Sequence, residues 1–382
     1  MALKIPFFLL LVFLLSFPSP ISSRAVPETS QTGVVGVVYS MSTAGLPPPK
    51  QVADALVDAG VSRVLLIDTY PEGIAAFNGT PFHITIGVNN SVLPLLAANR
   101  SEAIRWIGDH IIGPNVAVGT ISVGHDLLST YIALYKYLLP ALRNLQAAFT
   151  TMGLDMSLTT SCSYDIICPG FPPSEAHFNS SVAETHVMPL MEFLTETSSP
   201  FLIQLYPFKL YNSDVIPRAS TGLATFDSRP GIFLTDPKTG LVYQNMFDAM
   251  VDATVAALDK LGYPDIRVVV AGTGWPSEGT DDQPEASPVI AAEYTERLVS
   301  RLSSGAGTPA LPDVTPVAYI FSLFDGPMVA GMPTAWNWGI WTKDMQQKYI
   351  VDFASAANVG GRARRTLISA AAGWAAAVAL FW

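Results

Sequence analysis

The amino-acid sequence predicts an α/β protein, a single (β/α)8 or TIM barrel. Eight short apolar runs rich in β-branched residues alternate with stretches whose apolar residues recur at helical spacing, over about 320 residues. Residues 268–270, V-V-V, do not alternate with polar residues, which is typical of a parallel strand buried on both faces. An open doubly wound sheet is the alternative, but no glycine-rich phosphate loop follows the first run. The predicted strands are 33–39, 63–68, 83–88, 116–123, 156–160, 201–206, 266–271 and 317–323.

The helical pattern is clearest in three segments between these strands, 134–149, 247–261 and 290–302. In a barrel of this kind, the carboxyl ends of the strands carry the functional groups. The side chains at or after the predicted strand ends are therefore the candidates for a site. They are Tyr39, Asp68, His125, Asp126, Tyr206, Phe208, Gly272, Trp275, Asp325 and Trp338.

The N-terminal end predicts a secretory signal peptide over residues 1–25. The chain is 49% hydrophobic with a mean hydropathy of +0.35, and its two ends explain part of this. An apolar run, 5–17, follows Lys4, and small residues up to Ala25 suit cleavage by signal peptidase. A membrane-anchoring helix is the alternative, although the run is short for a membrane span.

The C-terminal end predicts a glycosylphosphatidylinositol (GPI) anchor. Small residues around Ser355 precede a polar spacer with three arginines and an apolar tail, 367–382. GPI transfer requires small residues, a spacer of roughly 8–12 residues and a hydrophobic tail of roughly 10–20. Ser355 is the predicted attachment residue and Asn358 the second choice, with a tail-anchoring helix as the alternative. The mature barrel would then span 26–355, and 356–382 would be a removed propeptide.

The mature chain is predicted to be strongly acidic, with 16 basic residues against 31 acidic ones after both ends are removed. This charge disfavours nucleic acid and anionic lipid surfaces as partners and allows a neutral ligand. No cofactor is expected, and two cysteines with five scattered histidines do not indicate a metal site. Cys162 and Cys168 suit a short disulfide loop in an oxidising compartment, with free thiols as the alternative. Four sequons agree with secretion and glycosylation, at Asn78, Asn89, Asn99 and Asn179.

Aromatic rings recur among the predicted strand ends. Flat aromatic faces beside polar groups suit the apolar faces and hydroxyl edges of neutral sugars. We therefore predict a carbohydrate-binding groove, and the alternative for each ring is packing inside the barrel. The rings are Tyr39, Tyr206, Phe208, Trp275 and Trp338.

Collinear segments over nearly the whole mature chain carry a family resemblance. They include V-G-V-V-Y at 35–39, R-V-L-L-I-D at 63–68, L-P-A-L-R-N-L at 139–145, F-P-P-S at 171–174, P-F-L-I-Q-L-Y-P at 200–207, Y-Q-N-M-F-D-A at 243–249 and T-G-W-P-S at 273–277. These segments resemble the plant endo-1,3-β-glucanases of glycoside hydrolase family 17. The resemblance implies a (β/α)8 barrel with a long groove for β-1,3-glucan such as callose.

The resemblance also implies two catalytic carboxylates, because active members are retaining enzymes with an acid and a nucleophile roughly 5–5.5 Å apart. The family's acid ends a V-G-N-E motif, where this chain has V-G-H-D at 123–126. Asp126 is then the remnant acid, and His125 replaces the asparagine expected to orient the sugar. The family's nucleophile opens an E-T-G-W-P motif, where this chain has G-T-G-W-P at 272–276. Gly272 thus stands at the nucleophile position without a carboxylate.

Other departures from the family lie on the same face. Gly326 and Ala335 stand where glutamates are expected, and Val38 and Gln204 where asparagines are expected. Losses gathered at one face indicate a scaffold that is kept while its chemistry is removed. An inverting route would need another base, and the candidates, expected to be solvated loop acids, are Asp325, Glu278, Asp281 and Asp282.

These observations favour a secreted, GPI-anchored protein that binds β-1,3-glucan at the cell wall without cutting it. The second hypothesis is a weakly active endo-1,3-β-glucan hydrolase or transglycosidase that uses Asp126 and a displaced acid. The third is a non-catalytic scaffold that contacts other proteins at the cell surface. Under the first, the predicted sugar contacts are Tyr39, His125, Tyr206, Phe208, Trp275, Asp325 and Trp338.

Overall fold

The barrel predicted from the apolar runs is present and closed. The structure is a computed structural model and describes residues 33–212, 221–227, 229–328 and 332–353. Eight parallel strands form one closed ring, and Gly36 on the first strand lies opposite both Arg63 on the second and Tyr319 on the last. All eight predicted strands are confirmed, with ends shifted by up to three residues. They are β1 (Val35–Ser40), β2 (Arg63–Ile67), β3 (His83–Val88), β4 (Val118–His125), β5 (Ser157–Ser163), β6 (Phe201–Gln204), β7 (Val268–Thr273) and β8 (Val317–Ile320).

Helices between the strands cover the outside of the barrel. The last two long ones begin at side-chain caps, because Asn245 Oδ1 accepts from Asp248 N and Ser287 Oγ accepts from Ile290 N. The helices are α1 (Pro49–Asp58), α2 (Pro71–Ala75), α3 (Leu93–Ala98), α4 (Arg100–Ile107), α5 (Tyr135–Met152), α6 (Ser180–Val182), α7 (Met188–Glu196), α8 (Pro207–Tyr211), α9 (Thr221–Ala224), α10 (Met246–Leu261) and α11 (Pro288–Ser303). The three clearest predicted helices correspond to α5, α10 and α11.

Short ladders and single helical turns lie in the segments between and after the barrel strands. Two antiparallel ladders pair Ile167–Cys168 with His177–Phe178 and Leu234–Thr235 with Val242–Tyr243. Single helical turns lie at Asn90–Val92, Gly108–Ile112, Ile132–Leu134, Tyr164–Ile166, Pro173–Glu175, Ala183–Val187 and Pro333–Ala335.

The predicted disulfide is not formed, since both cysteines are free thiols. Cys162 is buried within β5, and its thiol pKa is raised by that burial and by the negative charge of Asp126. Cys168 belongs to the short ladder instead, where its Sγ lies 3.7 Å from Nε2 of His177 on the paired strand. Separate elements therefore hold the two sulfur atoms in different surroundings.

The predicted sorting signals lie outside the described residues. Both the signal peptide and Ser355, with the propeptide after it, remain predictions. No helix in the described part of the chain is long and apolar enough to cross a bilayer. The four sequon asparagines are all exposed, as attachment of a glycan requires: Asn78, Asn89, Asn99 and Asn179.

Candidate active site

A cleft of about 450 Å³ opens at the carboxyl ends of the barrel strands. Its wall takes residues from β1 to β7 and from the loop after β8, on the face where barrel enzymes carry their sites. The apolar part includes Val38, Tyr206, Phe321 and Trp338. The polar part consists of Asp68, Asn89, Ser122, His125, Asp126, Ser161, Gln204, Lys209 and Thr334.

Asp126 reaches this cleft because β4 ends in a sharp turn. Gly124 has φ of +72°, and a Cβ there would lie 2.7 Å from Leu127 Cδ1, so only glycine fits. Asp126 itself is left-handed, with φ of +52°. Its backbone N–H donates to the carbonyl of Ser161 at 2.9 Å, which ties the turn to β5. The local backbone therefore fixes the carboxyl at the cleft.

The carboxyl of Asp126 lies in a polar but half-buried setting. Nε2 of Gln204 donates to Asp126 Oδ1 at 3.2 Å and to Ser161 Oγ at 3.2 Å. Burial raises the pKa of Asp126, and the nearby positive charges of His125 and Lys209 oppose part of that rise. The group can act as a hydrogen-bond partner or, when protonated, as a proton donor.

Gly272 lies within β7, opposite Gln204 on β6. A Cβ built on Gly272 would lie 2.7 Å from Tyr206 Oη and 3.7 Å from Gln204 Cγ, so a side chain here would point towards the groups that line the cleft. A separation of 2.7 Å is too close for a real Cβ. The hydroxyl of Tyr206 therefore occupies the space that a carboxylate-bearing side chain would need.

Tyr206 is held in that place by its neighbours. Its ring packs against Trp338 at 5.2 Å and Phe321 at 6.0 Å between centroids, and Nζ of Lys209 stands 4.7 Å from the ring centre. The hydroxyl lies 3.4 Å from Oε1 of Gln204, to which it donates weakly. Burial raises the pKa of Tyr206 far above its usual range, so the phenol stays protonated and is a poor nucleophile.

All five predicted contact rings are buried, and three of them do not line the cleft. Tyr39 is 1% exposed between Phe77 and Phe324, so its predicted sugar contact is wrong. Trp275 and Phe208, 1% and 4% exposed, pack against each other at 5.1 Å, and neither lines the cleft. These rings close the barrel top from the inside because apolar area is more stable away from water.

The remaining predicted contacts line the cleft, apart from Asp325. Tyr206 and Trp338 form part of its wall, and His125 is exposed at its edge, with its ring against Tyr131 at 5.5 Å. Asp325 is half-buried in an ion pair with Lys348 at 2.7 Å and also accepts from the N–H of Gly339. Its role as a sugar contact is therefore not supported by the geometry.

The four candidate replacement bases do not enter the cleft. Glu278, Asp281 and Asp282 are exposed loop acids, as expected. Asp325 was also expected to be a solvated loop acid, and this is wrong because it is half-buried in an ion pair with Lys348. Of the two expected glutamate positions further along, Ala335 lines the cleft and Gly326 does not.

The cleft also contains polar residues beyond the predicted sugar contacts. Asp68, predicted as a strand-end residue, lines it with its Oδ2 accepting from Ser40 Oγ at 2.7 Å. Sequence reasoning missed Lys209, which belongs to α8 and follows the predicted strand end at 206 by three positions, a spacing that could have identified it. Within the described ranges, no three histidine, cysteine or acidic side chains come together as metal ligands would.

Comparison with known proteins identifies the family. The model of the glycosyl hydrolases family 17 matches residues 35–353. Glucan endo-1,3-beta-glucosidase 13 and glucan endo-1,3-beta-glucosidase 7 of Arabidopsis thaliana are 34% and 35% identical to this chain, over 85% and 94% of its length. The chain covers 65% and 69% of those two proteins.

Solved structures agree with this relationship. A beta-1,3-glucanase and pollen allergen of Cryptomeria japonica, CJP38, superposes with a TM-score of 0.78 at 29% identity, over 84% of this chain and 99% of its own. One of two plant beta-glucan endohydrolases with distinct substrate specificities gives a TM-score of 0.74 at 29% identity, over 83% and 100%. With the closed barrel, the cleft at its strand ends and these matches together, the chain belongs to glycosyl hydrolase family 17.

Proposed function

We propose that this protein binds β-1,3-glucan such as callose at the outer face of the plant plasma membrane and in the cell wall, without hydrolysing it by the retaining route. The single observation that carries this proposal is the end of β7. Gly272 supplies no carboxylate, and the hydroxyl of Tyr206 stands in the space such a group would need.

Retaining hydrolysis fails at its first step in this cleft. That step needs a carboxylate to attack the anomeric carbon while a second group protonates the leaving oxygen. Asp126 can still supply the proton, but the protonated phenol of Tyr206 cannot replace the attacking group. Loss of a nucleophile lowers the rate by several orders of magnitude because the covalent intermediate no longer forms.

The cleft nevertheless retains what sugar binding requires. Trp338 and Tyr206, 6% and 8% exposed, contribute a small area of apolar ring to the cleft wall, and Asp126, Gln204 and Ser161 offer hydrogen-bonding groups to hydroxyls. Two acidic side chains in the wall, Asp68 and Asp126, are offset in part by Lys209. Such a wall suits a neutral polysaccharide better than a polyanion.

A weak hydrolase is the second candidate, and one observation favours it. Burial raises the pKa of Asp126, as a general acid that must hold its proton towards neutral pH requires. An inverting route needs a base at roughly 6.5–9.5 Å from the acid. Asp68 is the other carboxylate in the cleft wall and therefore the residue to test in that role.

The proposed location rests on sequence patterns. An apolar N-terminal run, small residues around Ser355 and an apolar C-terminal tail support secretion and a GPI anchor, and four exposed sequons are consistent with that route. Phosphatidylinositol-specific phospholipase C should release the protein from plant cells that express the full chain. Failure of release, with the protein still membrane-bound, would contradict the anchor.

The decisive test of function combines binding and hydrolysis. Titration calorimetry of the secreted protein with laminari-oligosaccharides should show saturable heat, and reducing-end release from laminarin should remain at background. Trp338→Ala removes a ring from the cleft wall, and this variant should bind the oligosaccharides more weakly. Absence of heat would favour the protein-contact scaffold. Laminarin cleavage that Asp126→Asn and Asp68→Asn each abolish would favour the weak hydrolase.

A further inference from the structure

One of the four sequons lies on the cleft itself. Asn89 comes directly after β3, is exposed and forms part of the cleft wall. Its Nδ2, the atom that carries an N-linked glycan, faces Asp68 Oδ1 at 3.5 Å. The asparagines of the other sequons do not line this cleft: Asn78, Asn99 and Asn179.

The Asn89 sequon is also fastened to the end of β4. Asn90, its middle residue, is buried, and its side chain accepts from the N–H of His125 at 2.9 Å and donates to the carbonyl of His125 at 3.0 Å. Asn89 Oδ1 accepts from Ser91 N at 2.9 Å. These bonds hold the attachment residue beside the Asp126 turn, so a glycan there cannot move away from the cleft with its loop.

We propose that an N-linked glycan on Asn89 lies across the mouth of the cleft and excludes the polysaccharide, so that the protein exists in an open form and a glycan-capped form. The donor is a lipid-linked oligosaccharyl pyrophosphate. The bond from sugar C1 to the pyrophosphate oxygen breaks, a C1–N bond to Asn89 Nδ2 forms, and the amide proton leaves with the lipid pyrophosphate. One N–H remains on Nδ2, and it can keep the contact with Asp68.

Capping differs from ordinary surface glycosylation in its position. A glycan at Asn99 extends from the start of α4, where Asn99 Oδ1 accepts from Glu102 N, and leaves the cleft open. A glycan at Asn89 begins within the cleft wall, between Asp68 and the turn that carries Asp126. Occupancy of Asn89 would therefore decide how much of the protein can bind glucan.

This inference rests on the proposed secretion and glucan binding, and matched sequon variants test it. The full chain is expressed in plant cells, and glycopeptide mass spectrometry measures occupancy at Asn89. Ser91→Ala removes the sequon but leaves Asn89 and the backbone N–H of position 91 in place. Ser91→Thr keeps the sequon, and Ser101→Ala removes the Asn99 sequon outside the cleft.

We expect Asn89 to carry a glycan in the wild type and in the Ser91→Thr and Ser101→Ala variants. Each of these should bind laminari-oligosaccharides at least about tenfold more weakly than Ser91→Ala. An unoccupied Asn89 on protein that is glycosylated at Asn99 would overturn the proposal. Equal affinity of occupied wild type and Ser91→Ala would overturn it as well.

A second readout separates capping from glucan binding. If no form binds glucan, the proposed function fails, and capping is then judged by the reactivity of His125, which is exposed at the cleft. Diethyl pyrocarbonate should modify His125 more slowly in the occupied wild type than in Ser91→Ala. Equal rates in the two proteins would show that the glycan leaves the cleft open.

Discussion

The ends of β4 and β7 serve the same cleft but differ in what surrounds them. At β4, a left-handed turn presents the carboxyl of Asp126 to the amide of Gln204 and to the cleft. At β7, the strand still pairs with β6, Gly272 has no side chain, and the hydroxyl of Tyr206 stands in front of it. The carboxyl at the end of β4 has a polar setting, while the space in front of Gly272 at the end of β7 is filled.

The difference teaches that the end of β7 lacks more than a side chain at Gly272, because a neighbouring side chain also fills the adjacent space. Tyr206 is packed by Trp338 and Phe321, so its position is part of the surrounding structure. A carboxylate side chain at position 272 could therefore be accommodated only if the buried Tyr206 ring moved. The end of β4, by contrast, could take part in chemistry without rearrangement.

The largest effect on stability should come from Trp275, the buried ring that follows the end of β7. Trp275→Ala removes a ring packed against Phe208 and Tyr294, together with the hydrogen bond from Nε1 to the carbonyl of Glu285, so we expect a loss of about 3–5 kcal/mol in the free energy of unfolding. Urea denaturation measures it. Phe233→Ala, at a ring that is 55% exposed, is the control and should change stability by less than about 0.5 kcal/mol. A stable Trp275→Ala protein with weakened glucan binding would place Trp275 at the sugar surface instead.

Introducing a carboxylate at Gly272 should lower stability before it produces any activity. Gly272→Glu forces a Cβ towards Tyr206 Oη, and we expect a loss of about 1–3 kcal/mol with laminarin cleavage close to background. Gly272→Glu with Tyr206→Phe removes the crowding hydroxyl, so stability should recover in part and cleavage should rise. Addition of Asp126→Asn to this pair should abolish the gain. A fully stable and active Gly272→Glu single variant would show that Tyr206 moves freely.

Binding should depend on side chains that line the cleft, such as His125 at the β4 end, and not on rings enclosed away from it. His125→Ala removes an exposed ring from the cleft edge, and we expect the dissociation constant to rise about threefold to tenfold, or roughly 0.6–1.4 kcal/mol. Tyr39→Phe is the control, because the Tyr39 ring is enclosed and should leave binding unchanged. Titration calorimetry compares the two variants, and a larger effect of Tyr39→Phe would reverse the assignment.

The smallest effect should be the response of Asp126 to pH. Its pKa is raised above 3.8 in the folded protein, mainly by burial, so the folded state holds the proton more tightly than the unfolded state. The contribution of Asp126 to the free energy of unfolding therefore falls as pH rises from 3.8 through the raised pKa. Asp126→Asn should be more stable than wild type at neutral pH, and the difference should shrink as pH falls through that window.

Urea denaturation at several pH values checks this expectation. Asp281→Asn, at an exposed acid, is the matched control and should follow the wild type at each pH. A difference between wild type and Asp126→Asn that grows towards acid pH would show that the Asp126 charge is stabilised rather than penalised by its surroundings.

The barrel was predictable because burial leaves a pattern that is local in the chain. Strands covered on both faces, such as β7, need uninterrupted apolar residues, and covering helices such as α10 and α11 repeat theirs at helical spacing. Strand ends were less certain, and β8 ends at Ile320 rather than at 323. Apolar residues continue beyond Ile320, and the N–H groups of Phe321 and Leu323 still donate to Thr273 and Val38, so hydropathy does not mark the end of the strand.

The aromatic site residues were harder to predict. Trp275 and Trp338 both follow strand ends, yet only Trp338 lines the cleft. Trp275 is enclosed by α11 through Tyr294 and by α8 through Phe208, and no pattern around position 275 shows this. Which ring lines the cleft depends on partners that are distant in sequence.

The sequence by itself determined the barrel, the presence of a carboxyl at Asp126 and its absence at Gly272, because strand burial and residue identity are local properties. Only the tertiary structure decided that Tyr206 fills the space before Gly272, that Lys348 pairs with Asp325 and that the two thiols stay apart. Each of these outcomes depends on which side chains are packed next to one another, and contacts between elements far apart in the chain determine that.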